Sequence, residues 1–349
     1  MQPLLTRARK STFTLMMLII CVLITACNSS TIDFNTDNSN GISGTGAQGL
    51  QVFVEPDAGY QVITDAISKA EKSVWVEVYL LTEKHVISAL EEAAHDGKDV
   101  RVMLEGHPYG GGSVSPQQTI DTLNAAGVKA ETTNPKFALT HEKGMIIDEK
   151  TAYILTANLT ASALGGSSST KNREYGIIDT NDKDVQTIID IFNADWDRKN
   201  LDFDNNTLVV SPLNSRDAFL SLIKSAKKTL LVEAEEMQDD QVEQALISAV
   251  KDGVDVQVIL PKPQSSDDNN GDGINTISDG GVKVKLSSKL YMHAKIFVVD
   301  GKKAFVGSEN ISTASLERNR ELGILIADNE VLNTLQKTFE QDWSASKSA

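Results

Sequence analysis

The chain has 349 residues, of which 40% are hydrophobic, so it can bury a large core and is not globally disordered. Acidic residues outnumber basic ones by 48 to 33, which gives a net charge of −15 at pH 7. Nucleic-acid binding draws most of its affinity from Lys and Arg contacts to phosphates, so this composition argues against a general nucleic-acid platform. A local basic cleft is not excluded.

The first segment, residues 1–27, has the pattern of a bacterial export signal. Two arginines and a lysine precede an apolar run over residues 13–24, which is too short to span a bilayer comfortably. Small residues then precede Cys27, as they do in lipoprotein signals. We therefore expect lipidation of Cys27 and attachment to the outer membrane or to the outer face of the cell membrane. An ordinary secretory signal and an uncleaved anchor are the alternatives.

The next segment, residues 28–49, is rich in Ser, Thr, Asn, Gly and Asp, which predicts a flexible tether. Cleavage at Cys27 would leave 30 basic residues against 48 acidic ones, a net charge of −18. Cys21 and Cys27 are the only cysteines. The mature domain is therefore expected to have no catalytic thiol, no zinc-thiolate site and no disulfide.

The remainder of the chain is a tandem repeat. Residues 72–77 match residues 228–233, and residues 96–104 match residues 252–260. The two matching segments start 24 residues apart in both copies. A duplication of this kind predicts two structurally equivalent halves.

The two copies span residues 50–200 and 207–349, and each alternates helices with apolar strands. The amphipathic helices predicted first in each copy lie at 60–71, 85–95, 216–227 and 241–250. A third helix, a short strand, a hairpin and a C-terminal helix follow in each copy. This alternation predicts α/β layers around a buried sheet. A pseudo-twofold axis between the copies would bring equivalent residues face to face.

Each copy carries the same polar residues in the same order inside apolar strands. They are His141, Lys143, Asp148, Thr156, Asn158 and Glu174 in the first copy, and His293, Lys295, Asp300, Ser308, Asn310 and Glu321 in the second. Residues i and i+2 of a strand point to the same face, so each histidine projects together with its lysine. Unpaired polar groups in a core are costly, and packing alone gives no reason to keep them. The pattern predicts one shared active site.

These residue types suit phosphodiester exchange. One imidazole can attack phosphorus to form a phosphohistidine, and the other can protonate the leaving alkoxide. Each remaining residue has an expected role: phosphate neutralisation for Lys143 and Lys295, phosphate binding for Thr156, Asn158, Ser308 and Asn310, histidine orientation for Glu174 and Glu321, and a place in the catalytic set for Asp148 and Asp300. The chemistry requires no metal or cofactor.

The pattern H-x-K-x4-D followed by G-S-x-N resembles the phospholipase D superfamily, and the resemblance covers residues 50–349. The second copy fits it fully, whereas Leu155-Thr156-Ala157-Asn158 replaces G-S-x-N in the first. The resemblance implies two tandem α/β/α sandwich halves, a monomer and a membrane phospholipid as substrate. It also implies that His141 is the nucleophile and His293 the general acid and base.

We expect first a phospholipase D that hydrolyses glycerophospholipids to phosphatidic acid, or transphosphatidylates them, because the lipid anchor would hold the site beside its substrate. A phosphatidyltransferase of the cardiolipin synthase kind and an exported phosphodiesterase or nuclease are the alternatives. A catalytically dead headgroup-binding module is disfavoured, because both copies keep His, Lys and Asn. Residues 268–279 resemble a calcium loop, but alignment of the two copies favours a helix there.

Overall fold

The computed structural model describes residues 46–109, 115–263 and 269–349. The predicted signal, Cys27 and nearly all of the predicted tether lie outside the described residues. So does residue 268, at the start of the calcium-like segment. No helix within the described ranges is long and apolar enough to cross a membrane.

The first half builds one sheet with helices connecting its strands. Its elements are β1 (Gln51–Glu55), α1 (Gln61–Lys69), β2 (Ser73–Val78), α2 (Lys84–His95), β3 (Asp99–Leu104), α3 (Pro116–Ala125), β4 (Lys129–Thr132), β5 (Lys143–Ile147), β6 (Thr151–Leu155), β7 (Asn172–Asp179) and α4 (Asp182–Trp196). The strand order is β1-β7-β6-β5-β2-β3-β4. Strands β2, β3 and β4 are parallel, because α2 and α3 return the chain between them, and the other neighbours in this order are antiparallel. Residues 291–292 of the second half also pair with β7, in parallel.

The second half repeats this plan. Its elements are β8 (Leu208–Ser211), α5 (Ser215–Ser225), β9 (Thr229–Glu233), β10 (Met237–Gln238), α6 (Asp240–Lys251), β11 (Asp255–Pro261), α7 (Gly271–Asp279), β12 (Lys283–Ser287), β13 (Tyr291–Met292), β14 (Ile296–Val299), β15 (Lys303–Gly307), β16 (Ile311–Ser312), α8 (Thr313–Glu317), β17 (Glu321–Ile326), α9 (Asn329–Ala345) and β18 (Lys347–Ser348). The sheet order is β8-β17-β15-β14-β9-β11-β12-β18. Strand for strand, this matches the first sheet, with β18 added at one edge. The predicted α/β fold of two tandem halves is confirmed.

Three apolar clusters hold these layers together. Helices α1, α2 and α3 cover one face of the first sheet, and α5, α6 and α7 cover one face of the second. The opposite faces of both sheets share a central cluster with α4 and α9, in which Ile154 and Ile324 are buried together with Phe192 and Phe339. The two halves therefore share one close-packed core, which holds the residues at their junction in place.

Two local predictions can be compared directly with the structure. The calcium-like segment forms helix α7 over Gly271–Asp279, as the alignment of the copies predicted. The predicted Asp300-Gly301 hairpin joins β14 to β15, with φ of 54° and 63° at the two residues. The turn is closed by the hydrogen bond from the Lys302 N–H to the Val299 carbonyl oxygen, and positive φ at both of its central residues matches the twist of the flanking strands. Both predictions are confirmed.

Candidate active site

The segment that leads into each histidine crosses to the opposite half. The backbone N–H of His141 donates to the carbonyl oxygen of Arg320 at 2.8 Å, and that of His293 donates to the carbonyl oxygen of Arg173 at 3.3 Å. Equivalent residues therefore make equivalent contacts, as a pseudo-twofold relation requires. Each histidine belongs to one half, and its backbone binds to the Asn-Arg-Glu segment of the other half.

The two arginines of these strands also pair across the halves. Arg173 Nε lies 2.5 Å from Asp342 Oδ2, and Arg320 Nε lies 2.6 Å from Asp195 Oδ2. All four side chains are buried or nearly so. Ion pairs this well buried fix the position of one half relative to the other, because breaking one would leave a buried charge without a partner. They hold the two histidine-bearing segments in register.

Both histidines line one cavity of about 590 Å³ at the junction of the halves. Its polar and aromatic wall includes Tyr79, His141, Asn158, Glu235, His293 and Asn310. Residues from both copies therefore lie around one cavity, as the repeat predicts. The described residues contain no cluster of three or more His, Cys, Asp or Glu side chains arranged to hold a metal ion.

Each histidine is oriented by a glutamate from the opposite half. His141 Nδ1 lies 3.0 Å from Glu321 Oε2, and His293 Nδ1 lies 2.7 Å from Glu174 Oε1. Both glutamate side chains are fully buried. A carboxylate at Nδ1 holds the proton there, which leaves Nε2 as the ring nitrogen for chemistry in the cavity.

Phosphate binding is the role that the sequence predicts for Thr156 and Ser308, but their hydroxyls form hydrogen bonds with the two glutamates instead. Thr156 Oγ1 donates to Glu174 Oε2, and Ser308 Oγ donates to Glu321 Oε2, both at 2.7 Å. A hydroxyl has one hydrogen to give, and here the buried carboxylate takes it. The prediction is corrected: these two residues position the groups that orient the histidines.

Asn158 and Asn310 lie where phosphate binding requires them. Both line the cavity, and both Oδ1 atoms are buried without a hydrogen-bond partner among the described residues. An amide oxygen only accepts, so these two atoms would take a donor such as an alcohol hydroxyl, whereas contact with phosphate oxygens requires the Nδ2 groups, which donate. The place of both side chains on the cavity wall is compatible with the predicted role.

Asp148 and Asp300, counted from the sequence as catalytic, lie at the far ends of the histidine strands. The Asp300 carboxylate accepts from the backbone N–H groups of residues 227–229, and the Asp148 carboxylate accepts from those of residues 71–73. The length of β5 separates Asp148 from Lys143 by roughly 15 Å. This prediction is wrong: the aspartates tie each hairpin turn to the start of the neighbouring central strand.

The two lysines are nearly fully buried and differ in their partners. Each Nζ donates to the carbonyl oxygen of the histidine two residues before it. Lys295 Nζ also lies 2.9 Å from Glu235 Oε2, whereas Lys143 Nζ lies 5.3 Å from the ring centroid of Tyr79. Burial, with the nearby charge of Lys295, lowers the pKa of Lys143 to about 7.

Tyr79 and Glu235 are two cavity residues that the sequence did not indicate as functional. Neither belongs to the His-Lys motif, but the alignment of Lys72 with Lys228 makes them equivalent positions, just beyond strands β2 and β9. The Tyr79 ring lies 4.8 Å from the His141 ring, edge to face. Glu235 Oε2 lies 3.2 Å from His293 Nε2. The repeat could have identified this position, because it holds an aromatic residue in one copy and a carboxylate in the other.

The two imidazoles have different surroundings. Burial lowers the pKa of His141, although the Glu321 charge opposes this. Both nitrogens of His293 face carboxylates, and the ring can donate to both only as an imidazolium. Burial opposes ionisation of Glu235, but the charges of His293 and Lys295 hold its pKa well below the ordinary value. A neutral ring suits a nucleophile and a protonated ring suits an acid.

Comparison with known proteins identifies the family of the chain. A family model described as "Cardiolipin synthase, PLD-like domain" matches residues 63–196 and 219–343. A cardiolipin synthase of Clostridium perfringens strain 13 is 25% identical over 362 residues, covering 89% of this chain and 73% of that protein. The probable cardiolipin synthase YwiE of Bacillus subtilis is 23% identical over 346 residues, covering 85% and 66%.

Solved structures share the fold. A phosphatidylserine synthase from Haemophilus influenzae superposes with a TM-score of 0.69 at 13% identity, covering 87% of this chain and 88% of that one. A polyphosphate kinase from Porphyromonas gingivalis gives a TM-score of 0.65 at 18% identity, covering 83% and 46%. The family model matches well over half of the chain, in one segment for each half. The chain therefore belongs to the phospholipase D-like family described as the cardiolipin synthase, PLD-like domain.

Proposed function

We propose that the chain is a phosphatidyltransferase of the cardiolipin synthase kind, which moves a phosphatidyl group from a phospholipid to an alcohol through a phosphohistidine. The observation that carries this proposal is the pair of histidines in one cavity, each held at Nδ1 by a buried glutamate of the opposite half. The relatives named cardiolipin synthase support transfer as the reaction. Hydrolysis, the first expectation from the sequence, becomes the second candidate.

In the first step, Nε2 of neutral His141 attacks phosphorus and the bond from phosphorus to the headgroup oxygen breaks. His293, as an imidazolium, gives the proton at Nε2 to the departing alkoxide. The lowered pKa of His141 and the two carboxylates around His293 support this assignment of roles. The products are phosphatidyl-His141, neutral His293 and a free alcohol.

In the second step, the acceptor hydroxyl gives its proton to Nε2 of His293 and its oxygen attacks phosphorus. The bond between phosphorus and His141 breaks, which restores the neutral nucleophile and the protonated acid. Water in place of the alcohol would give phosphatidic acid by the same route. The ratio of transfer to hydrolysis therefore depends on how well the cavity holds an alcohol.

Four further residues support phosphate binding throughout. Lys143 and Lys295 bring positive charge beside the histidines, and Asn158 and Asn310 bring amide donors to the cavity wall. Because burial lowers the pKa of Lys143 to about 7, an anionic phosphodiester bound beside it would raise this pKa and favour the charged ammonium. Substrate binding and charging of this lysine are thus coupled.

The catalytic body comprises the halves 50–200 and 207–349, and one chain supplies both histidines, which supports a monomer as the functional unit. The export pattern of residues 1–27 supports lipidation at Cys27 and an external, membrane-bound location. Labelled palmitate would then be incorporated into the wild-type chain and not into Cys27→Ser, and the variant would move from the membrane to the soluble fraction. Equal labelling of both would contradict the anchor.

The reaction is tested by incubating the domain with vesicles of phosphatidylglycerol in the presence of EDTA. Cardiolipin formation by the wild type, and by neither His141→Ala nor His293→Ala, is the expected result. Phosphatidic acid as the only product would favour the hydrolase. No turnover of phosphatidylglycerol or of phosphatidylcholine would contradict both candidates.

A further inference from the structure

Glu235 lies against the ring nitrogen that exchanges protons with the alcohol. Its Oε2 is 3.2 Å from His293 Nε2 and 2.9 Å from Lys295 Nζ. Its side chain is 19% exposed, on the wall of the cavity that both histidines line. An alcohol whose hydroxyl binds at His293 Nε2 therefore has its carbon chain beside this carboxylate.

The carboxylate is held ready to accept a further hydrogen bond. The charges of His293 and Lys295 keep it ionised, and an ionised carboxyl offers about four acceptor positions. Oε2 serves the lysine and the histidine, and Oε1 accepts from Tyr291 Oη at 3.2 Å. Within the part of the chain that the structure describes, one acceptor position on Oε1 is left for a donor in the cavity.

The two copies of the repeat divide the cavity chemically at this position. Tyr79, the equivalent of Glu235, places an aromatic ring beside His141, where the phosphatidyl group would be bound covalently. At this position the carboxylate lies on the His293 side, where the alcohol would enter and leave. Lys295 and His293 already neutralise its charge through Oε2, so the acceptor position that remains on Oε1 points to a ligand contact on that side.

We propose that Glu235 is the specificity-determining residue of the alcohol subsite, and that it selects alcohols with a second hydroxyl next to the reacting one. The second hydroxyl donates to Glu235 Oε1 while the first is bound at His293 Nε2. A glycerol group meets this requirement, whereas water and simple alcohols do not. This inference rests on the proposed transfer reaction and names the acceptor class.

Competition between acceptors for one intermediate tests the inference. The donor is phosphatidyl-p-nitrophenol in phosphatidylcholine vesicles, and glycerol and 1-propanol are supplied at equal concentration. Both alcohols react with the same phosphohistidine, so the ratio of phosphatidylglycerol to phosphatidylpropanol does not depend on how fast the intermediate forms or on how much protein is folded. Release of nitrophenol reports the first step separately.

We expect the wild type to favour glycerol by about tenfold or more, the worth of a hydrogen bond to a charged group. In Glu235→Gln this ratio should fall by about tenfold, with more phosphatidic acid formed. Glu236→Gln, which makes the same substitution at the neighbouring residue of the cavity wall, should change the ratio less than twofold.

An unchanged glycerol preference in Glu235→Gln, with nitrophenol still released, would overturn the inference and leave the transfer reaction standing. Ethanolamine outcompeting glycerol in a Glu235-dependent way would also overturn it, in favour of an amine subsite. Absence of nitrophenol release from the wild type would contradict the transfer reaction itself.

Discussion

His141 and Glu321 are 180 residues apart in the chain, yet Nδ1 of the histidine and Oε2 of the glutamate are 3.0 Å apart. The reciprocal contact joins His293 to Glu174 at 2.7 Å. Neither half can therefore orient its own histidine. The duplicated motif works as one site because each copy completes the other.

Each histidine is oriented by a glutamate of the opposite half, so Glu321→Gln and Glu174→Gln should slow different steps of the reaction. Glu321→Gln should reduce the rate of nitrophenol release from phosphatidyl-p-nitrophenol by about 10²–10⁴-fold, because His141 loses the carboxylate that orients it. Glu174→Gln should slow that release much less, because nitrophenolate leaves without a proton from His293.

With phosphatidylglycerol as donor, where the leaving alcohol needs a proton, both variants should be slow. Rapid-mixing measurements of nitrophenol release and of cardiolipin formation check this contrast. Equal losses with the two donors in both variants would contradict the assignment of nucleophile and acid.

Because Lys143 is buried, we expect it to lower the free energy of unfolding while it serves the reaction. Its pKa falls to about 7 in the folded protein from 10.5 in the unfolded chain, so the unfolded state binds more protons between these values. Stability should therefore rise with pH across this window, and the full cost of the buried ammonium is present below pH 7.

Lys143→Met should abolish transfer and raise the free energy of unfolding at pH 6–7 by roughly 1–4 kcal/mol. The advantage should narrow as the pH approaches 10. Lys295→Met is the matched control, and it should destabilise the protein because Glu235 loses its partner at 2.9 Å. Denaturant titrations at several pH values measure both. A Lys143→Met protein less stable than the wild type at pH 6 would refute this reading of the buried lysine.

Asp300 and Asp148 are predicted to matter for stability and little for chemistry. Asp300 accepts three backbone N–H groups at 2.7–2.9 Å, so Asp300→Ala should cost about 1–3 kcal/mol of unfolding free energy. The rate per folded molecule, measured below the unfolding transition, should stay within a few-fold of the wild type. A large loss of rate in a variant of undiminished stability would restore these residues to the catalytic set.

Much of the fold and the reacting residues could be predicted from the repeat. The same order of polar residues in the two copies, with equal spacing from histidine to asparagine, identified His141 and His293, and the pattern of apolar residues identified the alternation of helices and strands. The exchange of glutamates could not be predicted, because spacing along the chain does not say which half supplies a partner. Thr156 was misassigned because a hydroxyl can serve either a phosphate or a carboxylate, and only the geometry shows which. Glu235 was missed because it lies outside the motif.

Trapping the covalent intermediate tests the central claim that His141 is the nucleophile and His293 the acid and base of one site. His293→Ala, mixed with phosphatidyl-p-nitrophenol, can release nitrophenolate but lacks the base for the second step, so the phosphohistidine should accumulate. Proteolysis at alkaline pH, where phosphohistidine survives, and mass spectrometry would locate it. We predict a phosphatidyl adduct on His141 that is absent from His141→Ala. An adduct on any other residue, or nitrophenol release without an adduct, would contradict the claim.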